Sequence, residues 1–191
     1  MNQLVEPVAL VRGKSVADDG ALVRQARRNR EAFAHLYRRY VQRIYRYLYS
    51  RVGRRADAED LTALVFTEAL EGLDGYREQG TFSAWLFTIA HRRLVDYYRR
   101  DRPTWPLDEA REIARDGSNA LTEVMQNERM KQLARLVEAL DEEKQELLRL
   151  RFAGGLTYRE IGEITGRSEG AVKMAAHRLL RRLEEAWEGD A

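Results

Sequence analysis

Cysteine is absent from the 191 residues, which excludes a disulfide framework, a thiolate metal site and a cysteine nucleophile. Histidine occurs three times, as His35, His91 and His177, too far apart to form a ligand pair at helical spacing. The only prolines are Pro7, Pro103 and Pro106. No run of about 18 apolar residues is present to span a bilayer. The first twenty residues also lack a charged segment followed by an apolar one, so the expected compartment is the cytoplasm, with no membrane contact of the chain's own. Carboxylates that could hold a catalytic metal are scarce as clusters: Asp57, Glu59 and Asp60 lie close together, but at the start of an expected helix, where the helix dipole accounts for them. No catalytic residue, metal or cofactor is expected. Lysine is rare too: of the 33 basic residues four are lysines, leaving 29 arginines, whose planar fork suits phosphates and carboxylates.

What is present divides the chain. The length fits one domain or two small ones. Two of the prolines bracket Thr104-Trp105, and the stretch after them is acidic and carries the turn-rich Asp116-Gly-Ser-Asn. A linker is placed at 104–125, between a front domain at 18–103 and a back domain at 126–188. Residues 18–103 carry 17 basic and 12 acidic side chains, whereas 104–125 carry two and five. The overall charge of +2 therefore conceals a basic front and an acidic tether.

Apolar residues recur at three and four, so the expected class is all-α: two small helical domains joined by a flexible acidic linker, with no convincing strand. One stripe runs Phe33, Leu36, Tyr37, Tyr40, Val41, Ile44, Tyr45 and Leu48. A second, entered through Asp57 as N-cap, takes Leu61, Leu64, Val65 and Ala69. A third, after a cap at Thr81, takes Phe82, Leu86, Ile89, Ala90, Leu94 and Tyr97. In the back domain, Thr157 and Glu160 have capping-box spacing, Gly166 suits a turn with positive φ, and Ser168 caps a second helix with Val172, Ala176, Leu179 and Leu180 inward. Helix, glycine turn, helix is the arrangement that places its second helix in a DNA major groove. The front domain adds arginines interleaved with aromatics from Trp85 to Arg100, where Arg92 and Arg99, and Arg93 and Arg100, recur seven apart on one helix surface. Such a face suits stacking on bases and neutralising phosphates. It equally suits a solvated helix whose aromatics pack inward.

Asp57-Ala-Glu-Asp-Leu61, Val65-Phe66, Phe82-Ser-Ala-Trp-Leu86, Ile89-Ala90 and Asp96-Tyr97, followed by Leu140-Asp-Glu-Glu, Leu156-Thr-Tyr-Arg-Glu-Ile161, Gly170-Ala-Val-Lys173 and His177-Arg178, together resemble the extracytoplasmic-function (ECF) group of RNA polymerase sigma factors. The resemblance implies a promoter-specificity subunit without enzymatic activity. Its front domain would bind the polymerase clamp through Asp57, Asp60, Leu61, Leu64, Val65 and Phe66. It would recognise and melt the minus-ten element with Tyr76, Trp85, Arg92, Arg93, Tyr97, Arg99 and Arg100, the loop Gly72 to Thr81 taking a flipped base. Its back domain would read the minus-thirty-five element with Arg167, Ser168, Lys173, Met174, His177 and Arg178. Implied partners are the polymerase core enzyme, promoter DNA and an anti-sigma factor. The chain departs from the family pattern at Ala63-Leu64, where a Gln-Glu pair is frequent, at Arg92 in place of an asparagine, and at Met174-Ala175 in place of serine and arginine. The alternative reading is a stand-alone helix-turn-helix regulator that binds half-sites as a dimer.

Overall fold

A computed structural model describes residues 17–100 and 130–189, and the expected linker at 104–125 lies outside them. Among the described residues there are helices and turns and no strand. The front module is α1 (Ala17–Arg28), α2 (Phe33–Val52), α3 (Arg55–Glu71) and α4 (Phe82–Arg100), with 3₁₀ turns at Arg30–Ala32 and Leu73–Gly75. The back module is α5 (130–138), α6 (Glu142–Leu148), a π-helical turn (Arg149–Ala153), α7 (Tyr158–Thr165) and α8 (Glu169–Gly189).

Local chemistry sets most of the boundaries. Asn29 accepts a hydrogen bond from the Glu31 N–H and starts the first 3₁₀ turn. Gly53, at φ 70°, ends α2 by donating to the Tyr49 carbonyl, a conformation that costs glycine little. Thr81 caps α4, its Oγ accepting from the Ala84 N–H at 3.2 Å. Asp141 caps α6 by accepting from the Lys144 N–H at 3.0 Å. The start of α3 differs from expectation: the helix begins two residues before Asp57, and Arg54 at the N-cap makes no side-chain cap bond. Asp57 instead lies in the first turn, where its charge suits the exposed N–H groups, and accepts from the Tyr97 hydroxyl at 2.9 Å.

The core follows the apolar stripes at their centres and departs from them at their edges. Leu36, Ile44 and Leu48 of α2, Leu61 and Val65 of α3, and Leu86, Ala90 and Leu94 of α4 are buried together. Leu64 is 48% exposed and Tyr37 43% exposed, while Phe66 takes the inner position, with its ring centroid 4.8 Å from that of Tyr37. In the back module Ile161, Val172, Ala176 and Leu179 are buried, whereas Leu180 is exposed, at the edge of the α8 stripe.

The two modules do not sit apart. Their buried residues form one cluster, joined through Tyr47 of α2 and Phe87 of α4, both completely buried. Neither belongs to the stripe expected for its helix. Both face the back module, with ring centroids 5.3 Å apart, and a Cβ on Gly154 would lie 2.8 Å from the Phe87 ring.

Candidate nucleic-acid interface

The helix-turn-helix is built by backbone satisfaction. The Thr157 N–H donates to Glu160 at 2.6 Å and the Glu160 N–H donates to the Thr157 hydroxyl at 3.2 Å, a complete capping box. Gly166 ends α7 at φ 70°. Gly162 is required by contact: a Cβ there would come within 2.5 Å of the Arg167 carbonyl oxygen, so the turn closes only over a bare Cα. Ser168 then accepts from the Ala171 N–H at 3.2 Å and starts α8.

With Val172, Ala176 and Leu179 inward, α8 turns Lys173, Met174, His177 and Arg178 to solvent, Met174 being 57% exposed. This face offers two cations, an imidazole and a flexible thioether, groups able to contact phosphates and base edges. Arg167, half-buried at the turn, is held by Glu143 of α6 at 2.6 Å. A cleft of about 450 Å³ beside it is lined by Lys144, Arg167, Arg178 and Arg182, with Asp141 and Glu143 among them.

The corresponding groups of the front module are engaged internally. Arg92 and Arg93 both reach Glu68 of α3, Arg93 at 2.6 Å. Arg99 pairs with Asp96 at 3.1 Å, and Tyr97 is edge-on to Tyr98 with its hydroxyl on Asp57. The expectation for the Arg100 side chain lies outside the described residues. In the loop between α3 and α4, Arg27 of α1 donates to the carbonyls of Leu73, at 3.0 Å, and Tyr76. Tyr76 itself is only 7% exposed. Its ring lies 4.9 Å from that of Trp85 and edge-on to Phe82, and its hydroxyl donates to the Gly80 carbonyl at 3.0 Å. Burial and the nearby charge of Glu78 raise its phenol above the ordinary value, so it stays neutral. Trp85 is half-buried and packs across Gly72.

The six α3 residues expected at the polymerase divide between two faces. Leu61, Val65 and Phe66 are core, Asp57 is half-buried, and Asp60 and Leu64 are exposed. Ala63 and Thr67 are exposed with them, forming one outward stripe at helical spacing. Sequence reasoning missed Arg43, Arg51, Glu146, Glu160 and Glu163, all of which bond across the two modules. No local signal marks them, because each partner is distant in the chain. Among the described residues no group of His, Asp and Glu could hold a metal ion, and no helix is long and apolar enough to cross a membrane.

Comparison with known proteins gives the same two-part division. Residues 36–104 match the family described as Sigma-70 region 2, and residues 130–183 match Sigma-70, region 4. The chain is 35% identical over 167 residues to the ECF RNA polymerase sigma factor BldN of Streptomyces coelicolor, covering 84% of this chain but 62% of BldN. It is 33% identical over 176 residues to the ECF RNA polymerase sigma factor ShbA of Streptomyces griseus, covering 86% of this chain and 92% of ShbA. Among solved structures, the sigma factor RpoE from Bartonella quintana, in complex with the anti-sigma factor NepR, aligns with a TM-score of 0.60 at 21% identity, over 83% of this chain and 98% of that one. At that identity the likeness is one of fold.

Proposed function

The chain belongs to the ECF RNA polymerase sigma factors, and we propose that it serves as a promoter-specificity subunit: it binds core polymerase, recognises two promoter elements and promotes strand opening. The observation that carries this reading is the co-occurrence, in order, of a region 2 match and a region 4 match whose helix-turn-helix turns Lys173, Met174, His177 and Arg178 outward on one face. A stand-alone regulator would have no use for the front module's match.

In this reading the domains run 18–103 and 126–188, with 104–125 as the tether. Asp60 and Leu64 lead the contact with the polymerase clamp, with Leu61, Val65 and Phe66 setting that helix on the core behind them. Lys173, Met174, His177 and Arg178 read the upstream element in the major groove, while Arg167 and Ser168 fix the register at the turn. Tyr76 and Trp85 face the extruded base and the adjacent base pair, and Arg92, Arg93, Tyr97, Arg99 and Arg100 hold the displaced strand by phosphate contacts and stacking. Members of this family are transcription initiation factors, and this chain acts without enzymatic chemistry of its own. It works in the cytoplasm and is held inactive by an anti-sigma factor, as RpoE is bound by NepR.

Run-off transcription with purified core enzyme on a genomic fragment library tests the reading. Expected are transcripts that depend on the chain and whose start sites share two upstream sequence elements. Tight operator binding by the chain alone, with no transcript when core is added, would contradict it.

A further inference from the structure

The contact between the modules is made of matched chemistry, with front-module donors set against back-module acceptors. The Arg43 guanidinium donates to two successive carbonyls after the π turn, Gly154 at 2.7 Å and Gly155 at 3.0 Å, while lying over the Tyr40 and Phe87 rings. The Tyr47 hydroxyl donates to Glu146 at 2.6 Å, and Arg51 reaches Glu142 and, at 3.2 Å, Glu146. At the far end, the Thr81 N–H and hydroxyl both donate to Glu163 of α7 at 2.8 Å, and the Ser83 hydroxyl donates to buried Glu160. A Cβ on Gly80 would stand 3.1 Å from the Glu163 carboxylate. The first helix of the helix-turn-helix thus lies against the closing end of the 72–81 loop.

This packing conflicts with use at a promoter. Elements centred near minus ten and minus thirty-five lie about 25 base pairs apart, roughly 85 Å along B-form DNA at about 3.4 Å per pair. A compact chain of this length has a radius of gyration of about 16 Å. The packed form cannot touch both elements, and it covers the loop end needed at one of them. The 29 residues between the described segments could span at most about 100 Å when extended, so the covalent chain permits separation.

We propose that the packed form is an autoinhibited state of the free chain, latched by Arg43 on the 154–155 carbonyls and by Glu160 and Glu163 on Ser83 and Thr81, and that binding to core polymerase opens it. The proposal rests on the sigma-factor reading above. Opening exchanges the latch contacts for contacts with polymerase and promoter, so weakening the latch raises the apparent affinity for core by enlarging the competent fraction.

Two variants of the full chain test it. Arg43→Ala combined with Glu163→Gln removes hydrogen bonds at both ends of the latch and is expected to bind core about tenfold more tightly, as the removal of roughly one charged hydrogen bond's net contribution implies. Gly80→Cys combined with Glu163→Cys, in a chain with no other cysteine, allows the latch to be fixed by a short cleavable bis-thiol crosslinker. The crosslinked chain is expected to lose run-off transcription with core, and cleavage of the linker to restore it. Unchanged core affinity in the first variant, or full transcription by the crosslinked chain, would overturn the latch while leaving the sigma-factor reading intact. A wild-type chain that neither binds core nor yields transcript would remove that reading, and the latch with it.

Discussion

The front module conceals the groups it would use on DNA, and the back module displays them. Tyr76 is buried beneath Trp85 and Phe82, and Arg92 and Arg93 are tied to Glu68, whereas Lys173, Met174, His177 and Arg178 stand in solvent. The core explains part of the contrast. Residues 17–100 bury large side chains from all four helices, while 130–189 bury little beyond Leu147, Leu150, Leu156, Ile161, Val172, Ala176 and Leu179. A unit of that size covers a small fraction of its own surface, and here it leans on Phe87 and Tyr47 of its neighbour. One interface therefore stabilises the smaller module and covers part of the larger one's working surface.

Breaking that dependence should have the largest effect. Phe87→Ala removes a completely buried ring set between Tyr47 and Gly154, and large aromatic truncations of this kind cost about 3–5 kcal/mol. In a thermal melt the midpoint should fall for the whole chain, with signals from the two modules moving together. A fall confined to the front module would show that the back module stands alone.

A middle-sized effect should separate reading from docking. Lys173→Ala with Arg178→Ala removes two exposed cations from α8, and a well-formed side-chain pairing with a base contributes about 1–3 kcal/mol of discrimination. Transcription should become insensitive to substitutions in the upstream element while core affinity holds. An equal drop in both would move those residues out of the recognition face.

The smallest effect is one of pH. Burial pushes the Glu163 carboxyl up, but the Thr81 backbone and hydroxyl bonds and the Arg159 charge outweigh it and hold the carboxyl below its ordinary range. Glu142 is held low in the same way, by Arg51 and Arg149 acting against burial. A lowered value in the packed form means that these groups stabilise it fully above the ordinary carboxylate value of about 4.3 and lose that contribution as pH falls through the lowered value. Fluorescence energy transfer between the modules should stay level from neutral pH down to about 5 and decline in more acid solution. Glu163→Gln should reduce the acid-side decline.

Legibility in the sequence follows the range of the interaction. The capping box of Thr157 and Glu160, the positive φ of Gly166 and the cap at Ser168 involve neighbours within a few residues, and spacing alone is enough to place them. Leu64, Tyr37 and Leu180 share the periodicity of the core yet are exposed, because an apolar stripe about 100° wide leaves its border positions undecided. Asp57 has the chemistry of a cap, yet the helix starts earlier without one. Tyr47 and Phe87 fall outside the stripes because what buries them belongs to the other module. Arg43 meets its carbonyl partner 111 residues away, beyond the reach of any local pattern. The outward face of α8 is legible in the spacing, whereas the enclosure of Tyr76 depends on Arg27, Phe82 and Trp85 meeting from different elements.

The distance between the modules, free and in use, is the most direct test of the latched form. Glu71→Cys and Glu184→Cys place spin labels on exposed positions of α3 and α8 in a chain otherwise without cysteine. A short, narrow distance distribution is expected for the free chain, with an increase of several tens of ångströms when core polymerase and promoter DNA are bound. The same short distance in both states would contradict it.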